Sequence, residues 1–155
     1  MTATAEEHAA RRARLTAEIV ARTGIDAAMI ERLVRGFYTR VRRDALLGPV
    51  FAERIQDWEP HLQRMFAFWS SVALMSGEYH GSPMEKPLPL PVDAEHFDRW
   101  LALFGATARE LCPPVAAEHF IERAQRIAQS LEMGIAAGQG VLLGKAERFR
   151  RTAPA

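Results

Sequence analysis

Four prolines in nine residues, PMEKPLPLP over positions 83–91, interrupt a chain that otherwise reads as helix. Each ring fixes φ and removes a backbone donor. The residue before each proline is pushed toward an extended conformation. The run therefore predicts a stiff, extended connector across the middle of a helical protein. Helical proteins hold cofactors between facing helices, and a ligating side chain on this connector would be well placed to do so. The segment contains no histidine, cysteine or tyrosine.

Helical periodicity flanks the connector on both sides. Residues 1–10 are rich in Ala, Thr and Glu and predict a disordered end, and residues 11–22 a short helix stopped by Thr23-Gly24. Asp26 is a candidate N-cap for a helix to about Arg43, with Ile30, Leu33, Val34, Phe37 and Val41 on one stripe. DALLGPVF reads as a tight corner broken at Gly48-Pro49. The next helix is expected from Trp58 to about Ser76, with Asp57 as N-cap and Pro60 in the first turn, where a missing N–H costs little. Beyond the connector, Asp93 opens a helix to about Leu111. Pro113-Pro114 separates it from another over about 116–137. No stretch alternates as a strand does. The fold class is all-α: four long helices and a short one in a single domain over 11–140, with 141–155 a flexible basic tail.

Twenty basic against nineteen acidic residues leave a formal charge of +1, so no global field points to nucleic acid or a membrane surface. No apolar run reaches the roughly 20 residues of a membrane span. The first residues lack the apolar core of a signal peptide. A single cysteine, Cys112, excludes an internal disulfide. A cytoplasmic protein is expected.

Several side chains invite a chemical role, each beside a plainer one. His61 lies one turn before Met65 and two before Phe68 and Trp69, so it can face a cofactor or sit at a helix edge. Tyr38 brings a hydroxyl that needs a partner when buried, either a ligand or a backbone carbonyl. Trp69 and Trp100 read as core, yet an indole N–H beside a cavity can hold a polar atom. His96 and His119 fall in first turns and are expected to be half exposed. Arg40, Arg42 and Arg43 read as a solvated helix end that could bind anions. Arg148, Arg150 and Arg151 read as a disordered tail. The chain has no GxGxxG, P-loop, HExxH or CxxC, and no ExxH pair of the di-iron kind.

Taken in order, FYTRVRRDALLGPVF, WEPHLQRMFAFWSSVALMSGEYHGSPM, HFDRWLALF and FIERAQRIAQSLEMGI resemble a group III truncated haemoglobin over roughly residues 25–138. The resemblance implies a shortened globin fold around haem b. Tyr38 then matches the distal tyrosine that donates to an iron-bound ligand, and His61 the distal histidine. Trp100 matches the tryptophan lining the distal pocket. These three would be the reactive wall. Phe51 matches an aromatic packed on the haem and Met65 the apolar residue over the iron. Arg64 would pair with a propionate, and Phe37, Phe68, Lys86, Pro87, Leu90 and Phe97 would complete the cofactor contacts.

The departure is at position 87. The family pattern there resembles P-M-x-K-H-L-x-L-P, with the histidine as proximal iron ligand, whereas this chain carries Pro87. Proline cannot coordinate iron. The resemblance then implies haem held with an altered or absent proximal ligand, His61 ligating the metal from the distal side or water taking the vacant site. It implies small gaseous or carbene/nitrene-type ligands at iron, redox or group-transfer catalysis rather than oxygen storage, and a reductase partner. The competing reading is a haem-free globin-fold binding or sensor protein.

Overall fold

Thr4 starts the first helix. In this computed structural model, which describes residues 4–76, 91–144 and 147–150, its side chain accepts from the Glu7 N–H at 3.1 Å. The Glu7 carboxylate accepts in return from the Thr4 N–H at 3.3 Å. That reciprocal pair satisfies two donors a helix end leaves free. Helix α1 therefore runs Ala5–Thr23, well beyond the short helix expected over 11–22. The disordered end expected over residues 1–10 is replaced by helix from Ala5. Gly24, at φ 71°, ends α1 in the left-handed region that favours glycine.

Helix α2, Ala27–Arg43, begins as expected at Asp26, whose carboxylate accepts from the Met29 N–H at 2.8 Å. Every member of its expected stripe is buried, together with Met29 and Tyr38. The corner that follows is itself a helix, α3, Leu47–Arg54. Pro49 does not break it. It sits in the first turn, where the lost N–H has no partner in any helix. Asp44 holds the corner: its carboxylate accepts from the N–H groups of Leu46 and Leu47 at 3.1 and 3.0 Å and from the Arg99 guanidinium at 2.7 Å. Gly48 lets α3 start close beneath α2, since a Cβ there would stand 3.0 Å from the Arg42 carbonyl oxygen.

Helix α4 spans Trp58–Leu74 and stops at Met75, which has φ 57°. Asp57 precedes it without a side-chain capping bond, contrary to expectation. Helix α5, Ala94–Leu111, is capped by Asp93 as the sequence predicts. Helix α6, Pro114–Gly138, opens with proline at its first position. Among the described residues there are six helices and no strand, the all-α class expected.

Helix α2 lies against α3, α4 and α5, α5 packs along α6, and α1 closes on α4 and α6. The main core gathers Leu33, Val34, Phe37, Trp69, Phe104 and Phe120 at the α2–α4–α5–α6 crossing. A smaller cluster unites Val92, Phe97, Ile135, Ala136 and Phe149, and Trp100 packs against both.

Two expectations about surface residues fail. His119 is 3% exposed rather than half exposed. Its Nε2 donates to the Ala73 carbonyl at 2.8 Å, and its Nδ1 accepts from Arg22 at 3.1 Å, so one ring ties α6 to α4 and α1. Those partners set the tautomer, because a carbonyl only accepts and a guanidinium only donates. Burial holds its pKa below the ordinary histidine value, with Arg123 and Arg22 adding to the effect. Arg148 and Phe149 are also docked, not part of a flexible tail: Phe149 is 3% exposed and Arg148 pairs with Glu132 and Asp98.

Candidate functional site

Helices α2 and α4 bring together the first group of residues marked from sequence. Tyr38 is buried on α2, and its ring stands 5.2 Å from that of His61 on α4, nearly perpendicular at 85°. Trp58, at the start of α4, closes a triangle, 5.8 Å from both rings. Tyr38 also meets Phe37 at 5.0 Å and Phe51 of α3 at 6.0 Å. The local cause is helical register: Trp58, His61 and Met65 recur at three- and four-residue steps, which share one face of α4.

His61 differs from every other described side chain in one respect. Its Nε2 is buried and has no hydrogen-bond partner. A buried polar atom left so costs free energy, and such exceptions call for a reason. Burial among aromatic rings pushes its pKa down to about 4, with the positive charge of Arg64 a second contribution. The ring is therefore neutral at neutral pH. Burial alone pushes the Tyr38 hydroxyl well above the ordinary tyrosine range, so it keeps its proton.

A second aromatic line joins this group to α5. Phe37 meets Trp100 edge-on at 5.4 Å and Phe104 at 5.3 Å. Trp100 stacks on Phe104 at 5.5 Å and 14°, and Phe104 on Trp69 at 4.8 Å and 18°. Offset or edge-on rings at these spacings are the favoured geometries. Trp100 thus faces the site through Phe37.

The structure places the remaining candidates unevenly. Met65 and Phe68 lie on α4, half-buried and buried, both in the main core. Arg64 is exposed on the same helix. Phe97 belongs to the smaller cluster beside Trp100. Lys86, Pro87 and Leu90 lie outside the described residues. Two residues carry more of the site than expected. Trp58, expected as the first residue of its helix, also touches both Tyr38 and His61. Arg42 read as a solvated helix end, yet its guanidinium lies 4.8 Å over the Trp58 ring, a cation–π contact. The spacing Trp58-x-x-His61, one helical turn, is the signal that could have found the former. Among the described residues, no three His, Cys, Asp or Glu converge as a metal cage. No helix among them is long and apolar enough to cross a membrane.

The bacterial-like globin family matches residues 21–133, and the residues above occupy that stretch. A curated relative, the group 3 truncated hemoglobin ctb of Campylobacter jejuni, is 33% identical over 113 residues, covering 70% of this chain and 89% of its own. The chain belongs to the group III truncated haemoglobins. The crystal structure of group III truncated hemoglobin from Campylobacter jejuni superposes with a TM-score of 0.64, at 33% identity and the same coverage of each chain. The truncated globin fold that the motifs implied is therefore the fold of this chain. Membership also makes haem binding the property to be tested at the Tyr38–His61–Trp100 wall. The globin extends past the matched stretch at both ends: the first four turns of α1 and everything after residue 133 lie outside it.

Proposed function

We propose that this truncated haemoglobin holds haem b against α2, α4 and α5 and presents a small iron ligand to Tyr38, His61 and Trp100. The observation that carries the reading is the orphaned, buried Nε2 of His61 inside an aromatic enclosure. An iron-bound ligand, or iron itself, would supply the missing partner. The flat aromatic walls suit a large apolar ring, whose burial is favourable by about 25 cal/mol per Å².

When bound, haem would supply an iron centre for diatomic ligands and electron transfer. The chain's own residues would supply the polar roof. The protonated Tyr38 hydroxyl is a donor at any physiological pH. Neutral His61 can donate or accept at Nε2, according to its tautomer. The Trp100 indole only donates. Fixed donors in a water-poor site stabilise developing negative charge better than water can. Arg64 is the candidate propionate partner.

Pro87 stands where the family's proximal histidine is expected, and a proline ring offers iron no donor atom, so this lever on haem chemistry would be altered. His61 would then be the residue of the Tyr38–His61–Trp100 wall able to hold iron. Held without the proximal histidine, haem would supply redox or group-transfer chemistry, including transfer of carbene- or nitrene-type groups, rather than oxygen storage, with a reductase supplying electrons. The second reading is a haem-free globin-fold sensor, favoured by the same Pro87.

Absorption spectroscopy separates the two. A Soret band after hemin addition is the expected result, and none at stoichiometric hemin sinks the haem reading. His61→Ala should shift the ferric spectrum if His61 binds iron. Pro87→His should produce a five-coordinate ferrous spectrum; a spectrum unchanged by that substitution would place position 87 away from the iron.

A further inference from the structure

Residues 147–150 lie beyond the stretch that matches the globin family, yet Phe149 among them is built into the core. The Phe149 ring is buried between α5 and α6 in the cluster that holds Val92, Phe97 and Ile135. Its carbonyl accepts from the Ala94 N–H at 2.8 Å. That N–H belongs to the first turn of α5 and has no partner within the helix. Its own N–H donates to Glu132 of α6 at 3.3 Å.

Arg148 completes the joint. Its Nε donates to both Glu132 oxygens at 2.9 and 3.0 Å, and its Nη2 to Asp98 at 2.7 Å and to the Ala94 carbonyl at 3.3 Å. Glu132 is 6% exposed. Without Arg148 it would be a buried carboxylate stripped of its cation, an arrangement that destabilises strongly. Glu132 on α6 and Arg148 after it therefore require each other, although sixteen residues separate them.

The connection to the site runs through one side chain. Trp100 packs against the Phe149 cluster on one side and the main core on the other, where it meets Phe37 edge-on. We propose that Arg148 and Phe149 form a clasp that latches the start of α5 to α6 and positions Trp100 at the haem site. Arg148 and Phe149 are positioning residues; neither touches the Tyr38–His61 pair. The positioning half of this inference rests on the haem reading above, whereas the clasp itself does not.

The test uses the full-length chain in two stages. Without haem, amide exchange is followed at Ala94, and the indole resonance of Trp100 is assigned by its loss in Trp100→Phe. Phe149→Ala should speed Ala94 exchange more than about tenfold and move the Trp100 resonance. Phe149→Leu, which refills most of the space, should restore both toward the parent. Arg150→Met, at an exposed neighbour, should change neither. Ala94 exchange unaffected by Phe149→Ala overturns the clasp, and a Trp100 resonance that stays in place overturns its reach to the site. If Phe149→Ala does not fold, Arg148→Met gives the same readouts with the ring retained. In the second stage, haem transfer to a scavenger globin should be more than about tenfold faster from Phe149→Ala under conditions where both chains are fully folded. Equal rates overturn the positioning role. A parent chain that takes up no haem defeats the haem reading, and the first stage still decides the clasp.

Discussion

His61 and His119 are histidines of one chain held in opposite ways. His119 uses both ring nitrogens on fixed protein partners, the Ala73 carbonyl and the Arg22 guanidinium. His61 buries Nε2 with no partner at all. Burial lowers the pKa of both, so acidity does not tell them apart. Satisfaction does. A ring whose hydrogen bonds are complete is part of the scaffold, whereas His61 keeps an unpaired nitrogen among aromatic rings, an exception that calls for a reason.

An aromatic line joins the two. Trp100, Phe104, Trp69 and Phe120 run in contact from the His61 side to the residue after His119. Phe104 is its centre and is 1% exposed. Phe104→Ala should therefore damage both regions at once, at about 3–5 kcal/mol, measured by urea unfolding. A loss under about 1 kcal/mol would mean the stack does not couple them.

His119→Leu removes the donor to Ala73 and the acceptor for Arg22 while leaving those groups behind. It should cost about 1–3 kcal/mol and loosen α1, as seen by amide exchange in Ala5–Thr23. An intact α1 with unchanged stability would contradict the scaffold role.

Acid should act on both histidines. Each has its folded pKa below the ordinary 6.5, that of His61 at about 4. Between those values the unfolded chain takes up protons that the folded chain refuses. Stability from these rings is thus complete above about pH 6.5 and falls as pH drops below it, for His61 until about pH 4, by at most about 1.4 kcal/mol per pH unit for each. The leucine variants should each flatten the pH profile of unfolding. A profile as steep in His61→Leu as in the parent would show that His61 is not buried in its neutral form.

The smallest effect sharpens the contrast most. In the haem-free protein, His61→Leu replaces an orphaned polar atom with an apolar group of similar size. It should leave stability unchanged or raise it by up to about 1 kcal/mol, the opposite sign to His119→Leu. A clear destabilisation would mean that His61 has a structural partner in solution.

Much of this was legible residue by residue. Asp26 and Asp93 announced their helices because a short acceptor side chain before a periodic run satisfies free N–H groups wherever it occurs. The α2 stripe was legible because 3.6-residue periodicity is local. Tyr38, His61 and Trp100 were legible through motif order rather than spacing. Other features misled. Gly48-Pro49 looked like a break because a proline's cost depends on its place in the turn, and that place is set by where α3 begins. The end of the chain looked like a solvated tail because nothing local reveals that Glu132 is buried and awaiting Arg148.

The sequence by itself determined five of the six described helices, most of their boundaries and the family, since these rest on short-range periodicity, capping and ordered motifs. Only the tertiary structure decided which histidine is complete and which is open, which tryptophan closes the site, and that Phe149 belongs to the core. Those depend on partners 16 to 97 residues away, and no local pattern encodes what a fold brings into contact.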